Sequence, residues 1–84
     1  MENKENYKKQ IIYRSTHRGS KEMDLLLGSF VKDNIENLND EDLLHLKTLV
    51  ETDDEILKIW YYSQESKHPL PKNKIFNKFR NFQL

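Results

Sequence analysis

The sequence contains no cysteine, which excludes a disulfide framework, a thiolate metal site and a cysteine nucleophile. It also lacks a long hydrophobic run: the longest is Leu25 to Leu27, whereas a membrane-spanning helix needs about 20 apolar residues. The first residues, from Met1 to Glu5, mix charges of both signs and resemble neither a secretory signal nor a transit peptide. We therefore expect a cytoplasmic protein that does not insert into membranes.

Glycine and proline are scarce, with two of each among the 84 residues. A chain of this length forms at most one small domain and buries only about 60% of its unfolded surface, which argues against a large enclosed active site. Between these few breakers, apolar residues recur at the helical period. The pattern predicts an all-α fold: a small single-domain bundle of about five helices over residues 1–84, monomeric when free and frayed over residues 1–5 and 83–84.

The first two helices are predicted on either side of a glycine. The first covers about Asn6 to His17 and ends at Gly19, which can take the left-handed backbone conformation found at helix ends. Ser20 is placed to cap the second helix, because its hydroxyl can accept a hydrogen bond from a free backbone amide. The apolar stripe of the second helix fits the i, i+3, i+4, i+7, i+8 template and consists of Met23, Leu26, Leu27, Phe30 and Val31.

A third helix is predicted over about Asp40 to Glu51, with Asn39 as its N-cap. Thr52 and Glu55 then have the S/T-x-x-E spacing of a capping box, which predicts the start of a fourth helix. Each of these helices should turn one apolar side towards the core. The residues expected on those sides are Leu43, Leu44, Leu46, Leu49 and Val50 in the third helix and Ile56, Leu57, Ile59, Trp60 and Tyr61 in the fourth.

Two prolines mark the end of the fourth helix. The segment His68-Pro69-Leu70-Pro71 should stop it, because proline lacks an amide hydrogen and clashes with the preceding turn. Tyr62 points away from the apolar side of that helix and is expected to be exposed. The last segment, Lys72 to Phe82, predicts either a fifth helix or a frayed tail. Its apolar stripe consists of Ile75, Phe76, Phe79 and Phe82.

The formal net charge is zero, but the charges are unevenly distributed. Residues 1–22 carry a net +3, residues 23–66 carry −8, and residues 67–84 carry +5. An acidic middle between basic ends weakens the case for nucleic-acid binding, which usually relies on a basic domain or a basic stripe. The basic ends can equally fold back over the acidic helices.

The sequence offers no recognisable catalytic, cofactor or metal site. It has no phosphate-binding loop, no dinucleotide-binding glycine motif and no nucleophile elbow. The three histidines fall on different predicted elements, and none has a histidine or carboxylate three or four positions later. Helix capping and the helix dipole account for the acidic clusters better than acid-base chemistry does. The three histidines of the sequence are His17, His45 and His68.

The turn between the first two helices is unusually rich in charge. Arg14 and Arg18 lie one helical turn apart and should project together, while Gly19 leaves room for another protein to approach the backbone. Glu22 lies just across the turn, so cations and a carboxylate stand side by side. Helix capping explains part of this pattern, and on the residues alone the rest is equally compatible with a docking surface and with internal scaffolding of the turn.

This turn resembles the SdhE family of flavinylation factors, which assist the assembly of succinate dehydrogenase. The residues Arg18, Gly19 and Glu22 match its R-G-x-x-E motif, and Asp24 matches the acid that follows. The resemblance extends over about Ile11 to Pro69. It includes an apolar helix, an acidic cap, a leucine-rich helix and an acidic turn that leads to a tryptophan, in that order.

The resemblance implies a five-helix bundle that acts as a helper rather than as an enzyme. Family members promote covalent attachment of FAD to a histidine of the flavoprotein subunit of succinate dehydrogenase or, in some bacteria, of fumarate reductase. The FAD would thus belong to the client, and this chain would need no cofactor of its own. The partner-binding residues implied are Arg18, Gly19 and Glu22, with support from Asp24 and contributions from Arg14 and His17.

Two other classes of function are compatible with the same residues. One is a small regulatory protein-binding module, because members of this family have also been described as antitoxins. The other, less favoured by the acidic middle of the chain, is a nucleic-acid binder that uses Arg14, Arg18, Lys21 and the basic tail.

Overall fold

The computed structural model describes residues 3–63 and 70–84. Over these residues the chain is helical and contains no strand, which confirms the predicted all-α fold. The bundle consists of five α-helices and one short 3-10 helix. They are α1 (Lys4–Thr16), α2 (Lys21–Asn34), the 3-10 helix (Ile35–Asn37), α3 (Asp40–Val50), α4 (Asp54–Ser63) and α5 (Lys74–Arg80).

Two of the predicted N-caps are confirmed. The Ser20 side chain accepts from the Met23 amide at 3.4 Å, and the Asn39 side chain accepts from the Asp42 amide at 2.8 Å. Each bond satisfies one of the amides that a helix start leaves without a partner. The helices α2 and α3 therefore begin where the sequence predicts.

The ends of α1 differ from the prediction. The helix begins at Lys4, two residues before Asn6, because the side-chain oxygen of Asn3 accepts from the backbone amide of Glu5 at 2.8 Å. It ends at Thr16, and the backbone of Gly19 is not left-handed, so the predicted glycine cap is wrong. Gly19 instead lies in the connection between the helices.

The predicted capping box at α4 is also wrong. The side chain of Asp53 accepts from the Glu55 amide at 2.9 Å, so Asp53 rather than Thr52 caps the helix. The Thr52 hydroxyl donates backwards to the Thr48 carbonyl at 2.9 Å, within the last turn of α3. The predicted stop at His68 and Pro69 lies outside the described residues.

The core is made by one side of each helix. Aromatic rings join the elements: Phe30 of α2 packs edge-on against Phe79 of α5 at 5.2 Å, and Trp60 of α4 packs against Phe76 at 5.9 Å. The last segment is therefore a packed helix, α5. The fully buried apolar side chains with no exposed surface are Ile11, Met23, Leu27, Leu43, Leu46, Leu49, Leu57, Ile75, Phe76 and Phe79.

Two side chains that were expected in the hydrophobic core are exposed on the surface. Leu44 is 56% exposed and Ile59 is 52% exposed, so their predicted burial is wrong. The helices α3 and α4 each bury only a narrow stripe, and these two side chains fall beside it. Tyr62 is 54% exposed, as predicted. No helix in the described part of the chain is long and apolar enough to cross a bilayer.

Candidate protein-docking site

The connection between α1 and α2, residues 17–20, forms a corner that is tied to the start of α4. Arg18 Nε donates to Asp54 Oδ1 at 2.6 Å, and the two terminal guanidinium nitrogens donate to the carbonyls of Val50 and Thr52. The Arg18 side chain is only 7% exposed and that of Asp54 19%. The guanidinium therefore joins the corner to the α3–α4 connection, and its donors are used within the chain.

Two carboxylates fix the backbone of the corner from opposite sides. Asp54 Oδ2 accepts from the amides of Gly19 and Ser20, at 2.9 and 3.2 Å. Asp24 Oδ1 accepts from the Arg18 amide at 2.6 Å. Hydrogen bonds to ionised groups are stronger than neutral ones, so this arrangement gives the corner a defined conformation.

These contacts correct the role expected for one residue. Arg18 was expected among the partner-binding residues, but its guanidinium pairs with Asp54 of its own chain. Sequence reasoning missed Asp54 because 36 residues separate the two, and because acids at a helix start are sufficiently explained by the helix dipole. Asp54 is thus a positioning residue of the corner that the sequence pattern did not identify.

Other candidate residues surround the corner and are accessible. The side chains of Arg14, His17 and Glu22 are exposed, as is Gly19. The His17 ring stacks on Tyr13, with centroids 3.9 Å apart, and its Nδ1 lies 2.8 Å from the Tyr13 carbonyl oxygen. This stack orients the imidazole at the end of α1.

Glu22 contacts a residue that lies 40 positions later in the chain. The Tyr62 hydroxyl donates to the Glu22 carboxylate, which links α4 to the first turn of α2. This hydrogen bond, assisted by partial burial, raises the pKa of Tyr62 to about 12. The carboxylate of Glu22 is therefore oriented but still faces solvent.

A groove of about 1040 Å³ opens beside the corner, between α1 and the α3–α4 connection. Its basic wall is formed by Lys9 and Arg14 of α1 and by His17 of the corner, and Tyr13 lies among them. Arg18 and Gly19 also line the groove. The opposite, acidic wall consists of Glu51, Asp53, Asp54 and Glu55. Within residues 3–63 and 70–84, no group of three or more histidine or acidic side chains is arranged to hold a metal ion.

Fold and site together define a small helical bundle whose charged corner and groove are accessible to another molecule. The chain belongs to the family described as the flavinator of succinate dehydrogenase, whose model matches residues 9–83. It is 31% identical over 67 residues to the FAD assembly factor SdhE of Acetobacter pasteurianus. That match covers 80% of this chain and 59% of the curated relative, so the chain spans less than two thirds of its length. No solved structure shows a significant match.

Proposed function

We propose that this chain binds the flavoprotein subunit of succinate dehydrogenase, or of the related fumarate reductase, and promotes covalent attachment of FAD to it. Family membership supports the role in flavinylation. The observation that carries the docking role is the exposed Gly19, whose amide is fixed by Asp54 at 2.9 Å. A rigid, accessible backbone is a suitable surface for close contact with another protein.

The helper supplies position rather than a reactive group. Both reacting partners, the bound FAD and the histidine, belong to the client in this proposal, and the helper binds no FAD of its own. Holding two groups in reacting geometry can lower a barrier by as much as ~7 to 11 kcal/mol. A bundle that docks on the client and restricts the motion around its flavin site can therefore accelerate the reaction without catalytic residues.

The corner suits this role because it is preorganised. Four hydrogen bonds that residues 18–20 donate to the carboxylates of Asp24 and Asp54 hold the corner before any partner arrives. A preformed surface loses little conformational freedom on binding, which favours affinity. Arg14, His17 and Glu22 are exposed around it and can contact the client.

The proposal is tested by replacing Gly19 with arginine. We expect Gly19→Arg to abolish covalent flavinylation, because a long side chain on the exposed corner blocks close approach. The measurement is the fluorescence of covalent flavin on the client's large subunit in a denaturing gel, with and without the helper.

Gly19→Ala is the matched control. A Cβ at this position would lie 3.5 Å from Asp54 Oδ2, an ordinary contact, and the backbone is not left-handed, so alanine fits without strain. We expect the alanine variant to retain flavinylation and both variants to keep the helical circular dichroism and melting of the wild type. Normal covalent flavin with folded Gly19→Arg would refute docking at the corner.

A further inference from the structure

We propose that the groove binds one extended segment of the client flavoprotein, about four residues long, in which acidic and basic side chains alternate. This inference rests on the proposed function, since it names the part of the client that the site recognises. It is carried by the opposite charges of the two walls, by the length of the basic wall and by the way side chains leave an extended chain.

The two walls present charges that do not neutralise each other. Lys9, Arg14 and His17 are exposed on one side, and among the described residues no ion pair joins them to the carboxylates opposite. On the acidic wall, Asp54 is used by Arg18, whereas Asp53 and Glu55 are exposed. An occupant can therefore meet the cations of Lys9 and Arg14 on one side and carboxylates on the other.

The length of the groove sets the size of the segment. Lys9 and His17 mark the ends of the basic wall, and the rise of about 1.5 Å per residue makes this wall roughly 12 Å long. An extended chain rises about 3.3 Å per residue, so about four residues match it.

The alternation follows from extended geometry. Successive side chains of an extended chain point in opposite directions, so one set faces α1 and the other faces the α3–α4 connection. Charge complementarity then requires acidic side chains facing the basic wall on α1 and basic side chains facing the acidic wall at the α3–α4 connection. The exposed Gly19, which also lines the groove, allows the main chain of the segment to lie close to the corner.

Charge reversal on each wall tests the inference. The double variants are Lys9→Glu with Arg14→Glu on the basic wall and Glu51→Lys with Glu55→Lys on the acidic wall. We expect each to weaken binding of the purified flavoprotein subunit about tenfold, measured by titration calorimetry, because attractive contacts become repulsive. Both losses should shrink as salt is raised, since exposed charges are screened.

Matched variants separate the groove from net charge. Lys32→Glu with Lys78→Glu changes the net charge by the same amount as the basic-wall variant. Asp33→Lys with Glu41→Lys changes it by the same amount as the acidic-wall variant. All four residues are exposed and do not line the groove. We expect these controls to change affinity less than twofold. Equal losses in wall and control variants would overturn the groove as the binding site.

Photo-crosslinking tests the sequence of the segment. A benzophenone amino acid at Tyr13, which lines the groove, should crosslink to a client peptide with alternating charges. In that peptide an acidic and a basic residue are adjacent or are another odd number of positions apart. The same group at Tyr62, an exposed tyrosine outside the groove, should not crosslink to that peptide. A Tyr13 crosslink to a peptide without this alternation would contradict the inference.

The two proposals fail in different ways. If the wild-type chain neither binds the flavoprotein nor raises its covalent flavin, the proposed function fails and the groove inference falls with it. If the wild type binds and flavinylates but wall reversals behave like their controls, only the groove inference is overturned. Gly19→Arg then still reports on the corner.

Discussion

Arg18 is a nearly buried cation whose charge is balanced by Asp54. Both side chains are largely withdrawn from water, at 7% and 19% exposure. Removing one partner of such a pair leaves the other charge poorly compensated, which is far more costly than losing an exposed ion pair. Loss of either partner alone is therefore expected to destabilise the whole bundle as well as to disturb the corner.

We predict that Asp54→Asn lowers the free energy of unfolding by about 2–4 kcal/mol, because Arg18 loses its compensating charge. Urea denaturation followed by circular dichroism measures the change. Asp53→Asn is the control: Asp53 is exposed, and asparagine caps a helix about as well as aspartate. We expect the control to shift stability by less than about 0.5 kcal/mol. Equal losses in the two variants would contradict the assigned role of Asp54.

Tyr62 offers a titration that reports on Glu22. The pKa of Tyr62 is raised from 10.0 to about 12 because its hydroxyl donates to the Glu22 carboxylate. The folded state thus holds this proton more tightly than the unfolded state. The resulting stabilisation is complete below pH 10 and is lost as the pH rises towards about 12.

We predict that Glu22→Gln lowers the pKa of Tyr62 towards 10, because the neutral amide no longer favours the protonated phenol. Ultraviolet titration of tyrosinate measures this, and the spectrum of Tyr62→Phe identifies which component belongs to Tyr62. An unchanged high-pH component in Glu22→Gln would exclude the hydrogen bond as the cause.

At the scale of elements, α1 and α2 are brought together at a glycine. A Cβ on Gly28 would lie 3.2 Å from Thr16 Cγ2 and 3.8 Å from the Ser15 carbonyl oxygen. Alanine in a helix is favoured over glycine by about 0.5–1 kcal/mol, but here the Thr16 methyl opposes this gain. The close contact of the two helices depends on the absence of a side chain at this position.

We predict that the effect of Gly28→Ala on the free energy of unfolding is more stabilising, by about 0.5–1 kcal/mol, when Thr16 is also replaced by serine. Serine lacks the methyl group that the new Cβ would meet. A double-mutant cycle on urea denaturation gives this coupling energy, with Thr16→Ser as the single-variant reference. Additive effects would show that Thr16 moves aside without cost.

Local signals were enough to predict most helices. The stripe of α2 and the caps Ser20 and Asn39 involve residues within one or two turns of each other, and all were confirmed. The start of α4 was misplaced by one residue because Thr52 and Asp53 are both good caps by type. Only the position of the Thr48 carbonyl, which accepts from Thr52, decides between them.

The site could be predicted less completely than the fold. The exposure of Gly19 and Glu22 was predicted from the charge pattern around a single turn. The internal use of Arg18 was not, because its partners lie more than 30 residues later, at the end of α3, in the following connection and at the start of α4: Val50, Thr52 and Asp54. Pairings over such separations are fixed by the packing of the helices, which local spacing does not encode.

At the scale of the whole molecule, the bundle closes on α5. The Cα radius of gyration is 12.1 Å, close to the roughly 12 Å expected for a compact chain of this length. Phe79 is fully buried and packs its ring 5.2 Å from both Phe30 and Tyr61. Arg80 lies 4.7 Å from the Trp60 ring. The last helix thus contacts α2 and α4, and we expect it to unfold together with them as one cooperative unit.

We predict that Phe79→Ala lowers the free energy of unfolding by about 3–5 kcal/mol, because it leaves a cavity among aromatic rings. Urea denaturation should show one transition with the same midpoint by Trp60 fluorescence and by circular dichroism. Lys78→Ala, at an exposed position of the same helix, should change stability by less than about 0.5 kcal/mol. Separate midpoints for the two probes would argue against a single cooperative unit.

The tie between Arg18 and Asp54 has a consequence for synthesis of the protein. A nascent chain on the ribosome presents the Arg-Gly turn early, but the carboxylate that anchors it is added 36 residues later. Until that point the turn has neither its guanidinium anchor nor the second wall of the groove. If the corner docks on a client as proposed, chains that end before Asp54 should therefore not bind it, because they lack the carboxylate that anchors the turn.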